Sequence, residues 1–307
     1  MKIQSLSIVV PTHNSCVNNC KFCVSRTHTN PYCDKISDVS KKFTEIDSIL
    51  LKTNLEYKNY RNRLQFARDN GCNVVVLTGT GEPIQNPKFL EFFAEVNNTL
   101  TSPFKSIEMQ TTGVMLMSEK GEFESLKNLY KLKDMGITTI SFSISNLFDN
   151  DRNLEIIGCA DKLRFDVFET IKLIKKLDFN LRLSLNLVND YDKYSVEEVI
   201  ERCNELGADQ VTFRKLYKSD LNNEIDQWIE ENASEKFYDE LVKYVKENGK
   251  FLGVLPFGPS IYDIKEMSIV VDDDCMSEQP KDIYKYLVLR ENCKLYTRWE
   301  TKASLVF

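Results

Sequence analysis

The sequence predicts an α/β fold, a partial (β/α)6 barrel followed by a C-terminal α+β extension. Three observations carry that expectation. Short β-branched or alternating runs recur between residues 5 and 213, and helix-like stretches separate them, which is the pattern of a parallel sheet with crossover helices. Six such units are too few for the eight that close a full barrel. Beyond about residue 220 the alternation gives way to helical and then extended segments.

Ser5–Val10 is the first strand and stops at Pro11. A long connection over 24–72 contains a charged helical stretch at Tyr57–Asn70. Asn73–Leu77 reads as a buried strand from its valine run, Lys88–Thr99 as a helix, and Ser106–Gln110 as a third strand ending at Thr111-Thr-Gly113. Glu122–Met135 is helical, with Gly136 as its C-cap, and Thr138–Ser145 is the fourth strand. Phe165–Leu177 and Val196–Leu206 are helices on either side of the strand Leu181–Val188, and Gln210–Phe213 is the sixth strand. The core is expected to span 1–220. The extension, 221–307, is expected to cap the barrel and shape a substrate pocket. In it Glu230–Glu247 reads as one or two helices, and Phe251–Leu255 and Met267–Val271 as extended segments. Asp272-Asp-Asp274 reads as a solvated acidic turn, and Tyr284–Leu289 with Lys294–Trp299 as a hairpin around Arg290-Glu-Asn-Cys293.

The 307 residues suffice for a full hydrophobic core. There is no apolar run long enough to span a membrane and no signal-peptide pattern, so no membrane association is expected. Nine cysteines without an export signal fit a reducing, cytoplasmic setting. A net charge of −6 argues against bulk nucleic-acid binding and leaves room for a small nucleotide.

The most informative stretch is Ser15-Cys-Val-Asn-Asn-Cys-Lys-Phe-Cys23. Cys16, Cys20 and Cys23 offer three thiolates where a [4Fe–4S] cube normally takes four, so one iron would stay open to a substrate or cofactor. Zinc is the competing reading, because His13, His28 or Cys33 could complete a tetrahedral site. After the second strand comes Thr78-Gly-Thr-Gly-Glu-Pro83, whose glycines allow close backbone approach and whose Glu82 supplies a rim carboxylate.

Together these segments resemble the radical S-adenosylmethionine (SAM) enzymes. The family signature is CxxxCxxC with an aromatic residue before the last cysteine, here Phe22. Its Gly-Gly-Glu-Pro segment is matched by Thr80-Gly81-Glu82-Pro83 except at the first glycine. The resemblance covers roughly residues 5–215. It implies a TIM-type partial barrel, a [4Fe–4S] cluster on Cys16, Cys20 and Cys23, and SAM bound to the open iron, its amino group near the Gly81–Pro83 segment. It also implies reductive cleavage of SAM to methionine and a 5′-deoxyadenosyl radical that abstracts hydrogen from a substrate. An external electron donor such as flavodoxin or ferredoxin follows from that chemistry.

The strand ends supply the other candidates. In Ser141-Phe-Ser-Ile-Ser145 the serines share one face. The resemblance makes Ser143 the nearest match to a serine that helps bind the SAM carboxylate, with Ser145 replacing the usual acid. Arg182, Ser184 and Asn186 share a face of the fifth strand, and an inward arginine needs an anion, either the SAM carboxylate or a substrate phosphate. Arg214 is a similar candidate at the rim, and Gln110 and Thr112 reach toward SAM or substrate from the third strand.

Only Cys275 and Cys293 lie beyond residue 220, so a single cluster is expected, which argues against peptide-modifying relatives that depend on auxiliary clusters. The expected substrate is a small molecule or nucleotide, since Tyr284, Tyr286, Arg290, Tyr296, Arg298 and Trp299 offer rings and cations for a base and phosphate. A peptide or protein substrate is the alternative within the enzyme class. A non-catalytic zinc-binding protein is the alternative outside it.

Overall fold

The computed structural model describes residues 2–11, 16–27, 55–117, 122–219, 221–255, 259–272, 283–299 and 301–306. His13, His28, Cys33 and Cys275 lie outside them. The strands are β1 (Lys2–Val9), β2 (Val74–Thr78), β3 (Ser106–Thr111), β4 (Thr139–Ile144), β5 (Asn180–Asn186), β6 (Gln210–Arg214), β7 (Lys250–Val254), β8 (Ser260–Ile264), β9 (Met267–Asp272), β10 (Ile283–Leu289) and β11 (Leu295–Tyr296). The described helices are α1 (Val24–Thr27), α2 (Leu55–Asp69), α3 (Pro87–Asn98), α4 (Glu122–Asp134), α5 (Asn150–Ile156), α6 (Val167–Lys176), α7 (Val196–Glu205), α8 (Glu224–Asn232) and α9 (Lys236–Asn248).

All the described strands join one eleven-stranded sheet in the order β11-β10-β1-β2-β3-β4-β5-β6-β9-β8-β7. Strands β1 to β6 run parallel in sequence order, as expected of six βα units. The chain beyond residue 220 extends this sheet. It adds β10 parallel to β1 at one edge and β9 parallel to β6 at the other. The antiparallel β11 and the β8–β7 pair then finish the two edges.

The two faces of the sheet differ in chemistry. Leu6, Ile8, Val75, Leu77, Ile107, Met109, Ile140, Phe142, Leu183, Leu185, Val211 and Phe213 alternate onto the helix-covered face and are almost fully buried. Burying each such side chain stabilises the fold by about 2 kcal/mol. The intervening residues are mostly polar, among them Ser7, Gln110, Ser141, Arg182, Ser184 and Arg214. A buried apolar face cannot accommodate them, so they turn to the concave side, where the cavities lie.

Local signals fix the helix starts. The Asn86 side chain accepts from the Phe89 N–H at 3.0 Å and its amide donates to the Pro11 carbonyl at 2.8 Å, tying α3 to the end of β1. Ser195 and Glu198 form a capping box on α7. Tyr60 of α2 meets Phe89 and Phe92 of α3 edge-on, with ring centroids 5.8 and 5.2 Å apart.

Candidate active site

The site is built on the carboxyl ends of the parallel strands, where βα loops converge. The three cysteines occupy the loop between β1 and α1, each half-buried. Three backbone hydrogen bonds seat this loop on the turn after α5: Asn19 N–H donates to the carbonyls of Ile157 and Gly158 at 3.1 and 3.2 Å, and Lys21 N–H to that of Ile156 at 3.0 Å. Gly158 has φ +60°, and a Cβ there would lie 2.4 Å from the Asn19 carbonyl oxygen. Only glycine fits so close a cradle. Arg26 clamps the loop from within, donating to the Asn19 side chain and the Cys20 carbonyl. Phe22 lies against Trp228 of α8, centroids 6.3 Å apart, so the extension touches the loop.

Glu82 is the second anchor, and it is buried rather than set at the rim as expected. It is 4% exposed. Its oxygens accept from Thr111 Oγ1 at 2.6 Å, Thr112 N–H at 2.9 Å and Thr112 Oγ1 at 2.6 Å. Thr112 Oγ1 in turn accepts from Asn18 Nδ2 at 2.7 Å. The cysteine loop, the Gly81–Pro83 segment and the end of β3 are thereby joined through one carboxylate. Burial pushes the Glu82 carboxyl up from its ordinary range, and the bonds from Thr111 and Thr112 oppose that shift. Gln85 binds the other side of the segment, accepting from the N–H groups of Glu82 at 3.1 Å and Val17 at 3.2 Å. Gly79 is also required by close approach, since a Cβ there would meet the Val10 carbonyl oxygen at 2.9 Å.

Two cavities open on the concave face. The smaller, about 280 Å³, is lined by Cys20, Phe22, Cys23, Gln110, Ser141, Ser143, Ser184, Asn186 and Arg214, among others. The larger, about 570 Å³, extends over the inner face of β1, β2, β3, β6 and β9. Val24, Gln110, Arg214 and Asp272 line both.

Several candidates sit elsewhere than expected. Arg182 lines only the larger cavity and already has its anion: Nη1 lies 2.5 Å from Glu108 Oε2, and Nε donates to Gln210 at 2.8 Å. Thr112 turns its hydroxyl to Glu82. Ser145 is fully buried past the end of β4, its Oγ accepting from Asn186 at 3.3 Å. Pro83 is buried at the start of a 3-10 turn, and Gly79 and Thr80 line the larger cavity. Gln110, Ser143, Ser184, Asn186 and Arg214 do meet on one wall. There Arg214 Nε donates to Ser184 at 2.8 Å and Asn186 to Ser143 at 3.1 Å.

Sequence reasoning missed Asn18, Gln85, Thr111, Gly158, Glu108 and Asp272. Glu108 was legible, since it alternates with Gln110 on β3. Asp272 is not in a solvated turn: it ends β9 opposite Arg214 and is 9% exposed. The position of Gly158 carries no local signal.

By donor type and sequence spacing, the three thiols suit an iron–sulfur cube with an open position. The thiols lie close enough for Cys23 to raise the proton affinity of both Cys16 and Cys20, on top of the larger effect of burial. Backbone N–H groups of Asn18 and Glu82 point at Cys16 and favour its thiolate. Among the described residues no three His, Cys, Asp or Glu side chains gather to hold a metal ion. The candidate fourth ligands of a zinc site, His13, His28 and Cys33, are outside the described residues.

A polar-lined partial barrel with three cysteines at its first strand end defines a class of SAM-dependent iron–sulfur enzymes. Residues 10–203 match the Radical SAM superfamily, and the chain belongs to it. Members of that superfamily are enzymes that use a [4Fe–4S] cluster and SAM. The fold is similar to that of SuiB from Streptococcus suis bound to S-adenosylmethionine, with TM-score 0.55 and 15% identity over 97% of this chain and 60% of that one. It is also similar to hexahistidine-tagged anSMEcpe with bound AdoMet, with TM-score 0.56 and 13% identity over 100% of this chain and 74% of that one. A third match is native anSMEcpe with bound AdoMet and Kp18Cys peptide, with TM-score 0.50 and 12% identity over 99% and 77%. The chain thus spans 60% of the length of SuiB. A search of curated proteins returns no match. Among the described residues no helix is long and apolar enough to cross a membrane.

Proposed function

We propose that this radical SAM enzyme acts on a peptide or protein segment. The observation that carries this reading is the run of chain from the larger cavity to an open sheet edge. Leu255 lines the cavity and directly follows β7, the outermost strand. Phe251, Leu252 and Val254 of β7 are each more than half exposed. A strand edge that has no partner among the described residues and carries apolar side chains is a template for an extended peptide, whose reactive side chain would enter the cavity. The likeness in fold to anSMEcpe with a bound peptide supports the same substrate class.

In this reading Cys16, Cys20 and Cys23 hold the cluster, and the smaller cavity, with Gln110, Ser143, Ser184, Asn186 and Arg214, holds SAM. When bound, these cofactors supply the chemistry that takes a hydrogen atom from an unactivated carbon. The chain holds the cysteine loop through Glu82, Gln85 and the turn after α5. It provides the SAM carboxylate with the Arg214 cation, and its concave polar face orients the substrate. An external reductant such as flavodoxin or ferredoxin delivers the electron.

A small-molecule or nucleotide substrate is the second reading, favoured by Tyr286 and Trp299 on the wall of the larger cavity. It is weakened by Arg290, which is 3% exposed with its guanidinium over the rings of Tyr296 and Trp299, an arrangement that spends the cation within the hairpin. The test is to incubate the reduced, SAM-loaded enzyme with a pool of synthetic peptides and, separately, with nucleosides and nucleotides. Peptide-dependent acceleration of 5′-deoxyadenosine release is expected. Acceleration by the nucleotide set alone would replace the proposal with the second reading.

A further inference from the structure

The carboxylate of Asp272 is the least explained group in the site. It is 9% exposed, and its Oδ1 is buried with no hydrogen-bond partner among the described residues. Its Oδ2 lies 3.9 Å from Arg214 Nη1, beyond hydrogen-bonding distance, while Arg214 Nε is engaged by Ser184. An unfilled acceptor on a buried carboxylate is costly unless something donates to it. Its place is equally specific. The extension lays β9 beside β6, so that Asp272 pairs in register with Arg214 at the carboxyl end of the sheet. There it lines both cavities, together with Gln110. A group bound between the two cavities passes the Asp272 side chain.

We propose that Asp272 is the substrate-positioning acceptor of this enzyme, its Oδ1 taking a hydrogen bond from an N–H donor next to the carbon that reacts. For a peptide that donor is a backbone amide or a side-chain or terminal ammonium. The proposal rests on the reading of the larger cavity as the substrate site. In it, Arg214 and Asp272, each of which lines both cavities, serve SAM and the substrate respectively, so that one ion pair orients both ligands. The carboxylate comes from the extension rather than from the six-strand core, which assigns recognition and cofactor binding to different parts of the chain.

The test compares the anaerobically reconstituted, SAM-loaded enzyme as wild type, Asp272→Ala and Asp272→Asn, with thermal melts to verify folding. Stimulation of 5′-deoxyadenosine release by a pool of random-sequence peptides is expected to fall by about tenfold or more in Asp272→Ala, a loss exceeding any change in SAM Kd by at least about fivefold. Asp272→Asn keeps an acceptor oxygen without the charge. Retention of most of the stimulation identifies an amide donor, and a loss equal to that of alanine identifies an ammonium. Unchanged stimulation in Asp272→Ala overturns the proposal, as does a SAM Kd weakened as much as the stimulation. If the peptide pool fails to stimulate even the wild type, the peptide reading falls. Asp272 is then judged from crystals of the SAM-bound wild type soaked with N-methylacetamide or methylammonium. A probe nitrogen within hydrogen-bonding distance of Oδ1 sustains the proposal, and its absence there overturns it.

Discussion

Replacing Gly158 with alanine tests whether the turn after α5 holds the cysteine loop. The added Cβ would sit 2.4 Å from the Asn19 carbonyl oxygen and 2.7 Å from its carbon. Ordinary C···O contacts begin near about 3.3 Å, so the loop must retreat by about 0.9 Å. Alanine at φ +60° also costs about 1 kcal/mol on its own. Retreat weakens the bonds from Asn19 and Lys21 N–H to the turn, worth about 1 kcal/mol each. The sum, about 3 kcal/mol, corresponds to more than a hundredfold loss of preference for the seated loop. Gly207 supplies the control: it has φ +74°, but a Cβ there meets only the flexible Lys175 side chain, at 3.5 Å. The assay is decay of the reconstituted cluster's absorbance under a chelator. The half-life is expected to shorten by about tenfold or more in Gly158→Ala and to change little in Gly207→Ala. Equal half-lives in the two variants would refute the reasoning.

Arg182→Ala leaves Glu108, whose side chain is 5% exposed, without its cation. Because Arg182 itself is partly solvated, the expected loss is about 2 kcal/mol, below the full cost of breaking a buried pair. Urea unfolding measures it, and a SAM Kd moved by less than about twofold separates this role from cofactor binding. Glu82→Ala orphans the Thr111 hydroxyl and the Thr112 N–H and hydroxyl. A loss of about 3 kcal/mol in the same assay is expected, with Glu82→Gln costing less. Glu291 is 5% exposed, and burial raises its carboxyl above the ordinary range. A raised carboxyl favours the folded state while protonated, and that advantage is lost as pH rises from the unfolded value through the folded one. Glu291→Gln is therefore expected to raise the thermal midpoint near neutral pH and to do little at about pH 4.

The six core strands were legible because their outer faces are buried by helices, and burial imposes the β-branched and leucine-rich alternation seen in Val74–Thr78 and Asn180–Asn186. Strand β8 was not, since Ser-Ile-Tyr-Asp-Ile is half-exposed and carries a mixed pattern. The split of the extension between two sheet edges was invisible for a different reason. Ser5 pairs with Tyr286 across most of the chain, and local pattern says nothing of such pairings. In the site, the cysteine spacing and the inward serines could be read directly. The burial of Glu82 could not, because its three shortest hydrogen bonds come from the end of another strand. Asp272 was misread for the same reason: three consecutive acids look solvated until β9 is known to lie against β6.

The most direct test of the account is anaerobic reconstitution followed by iron and sulfide analysis and incubation with dithionite and SAM. About four irons per chain, with 5′-deoxyadenosine and methionine formed and both lost when Cys16, Cys20 and Cys23 are replaced by alanine, is the predicted result. Zinc in place of iron, with SAM left intact, would contradict it and leave the cysteine loop a structural knuckle.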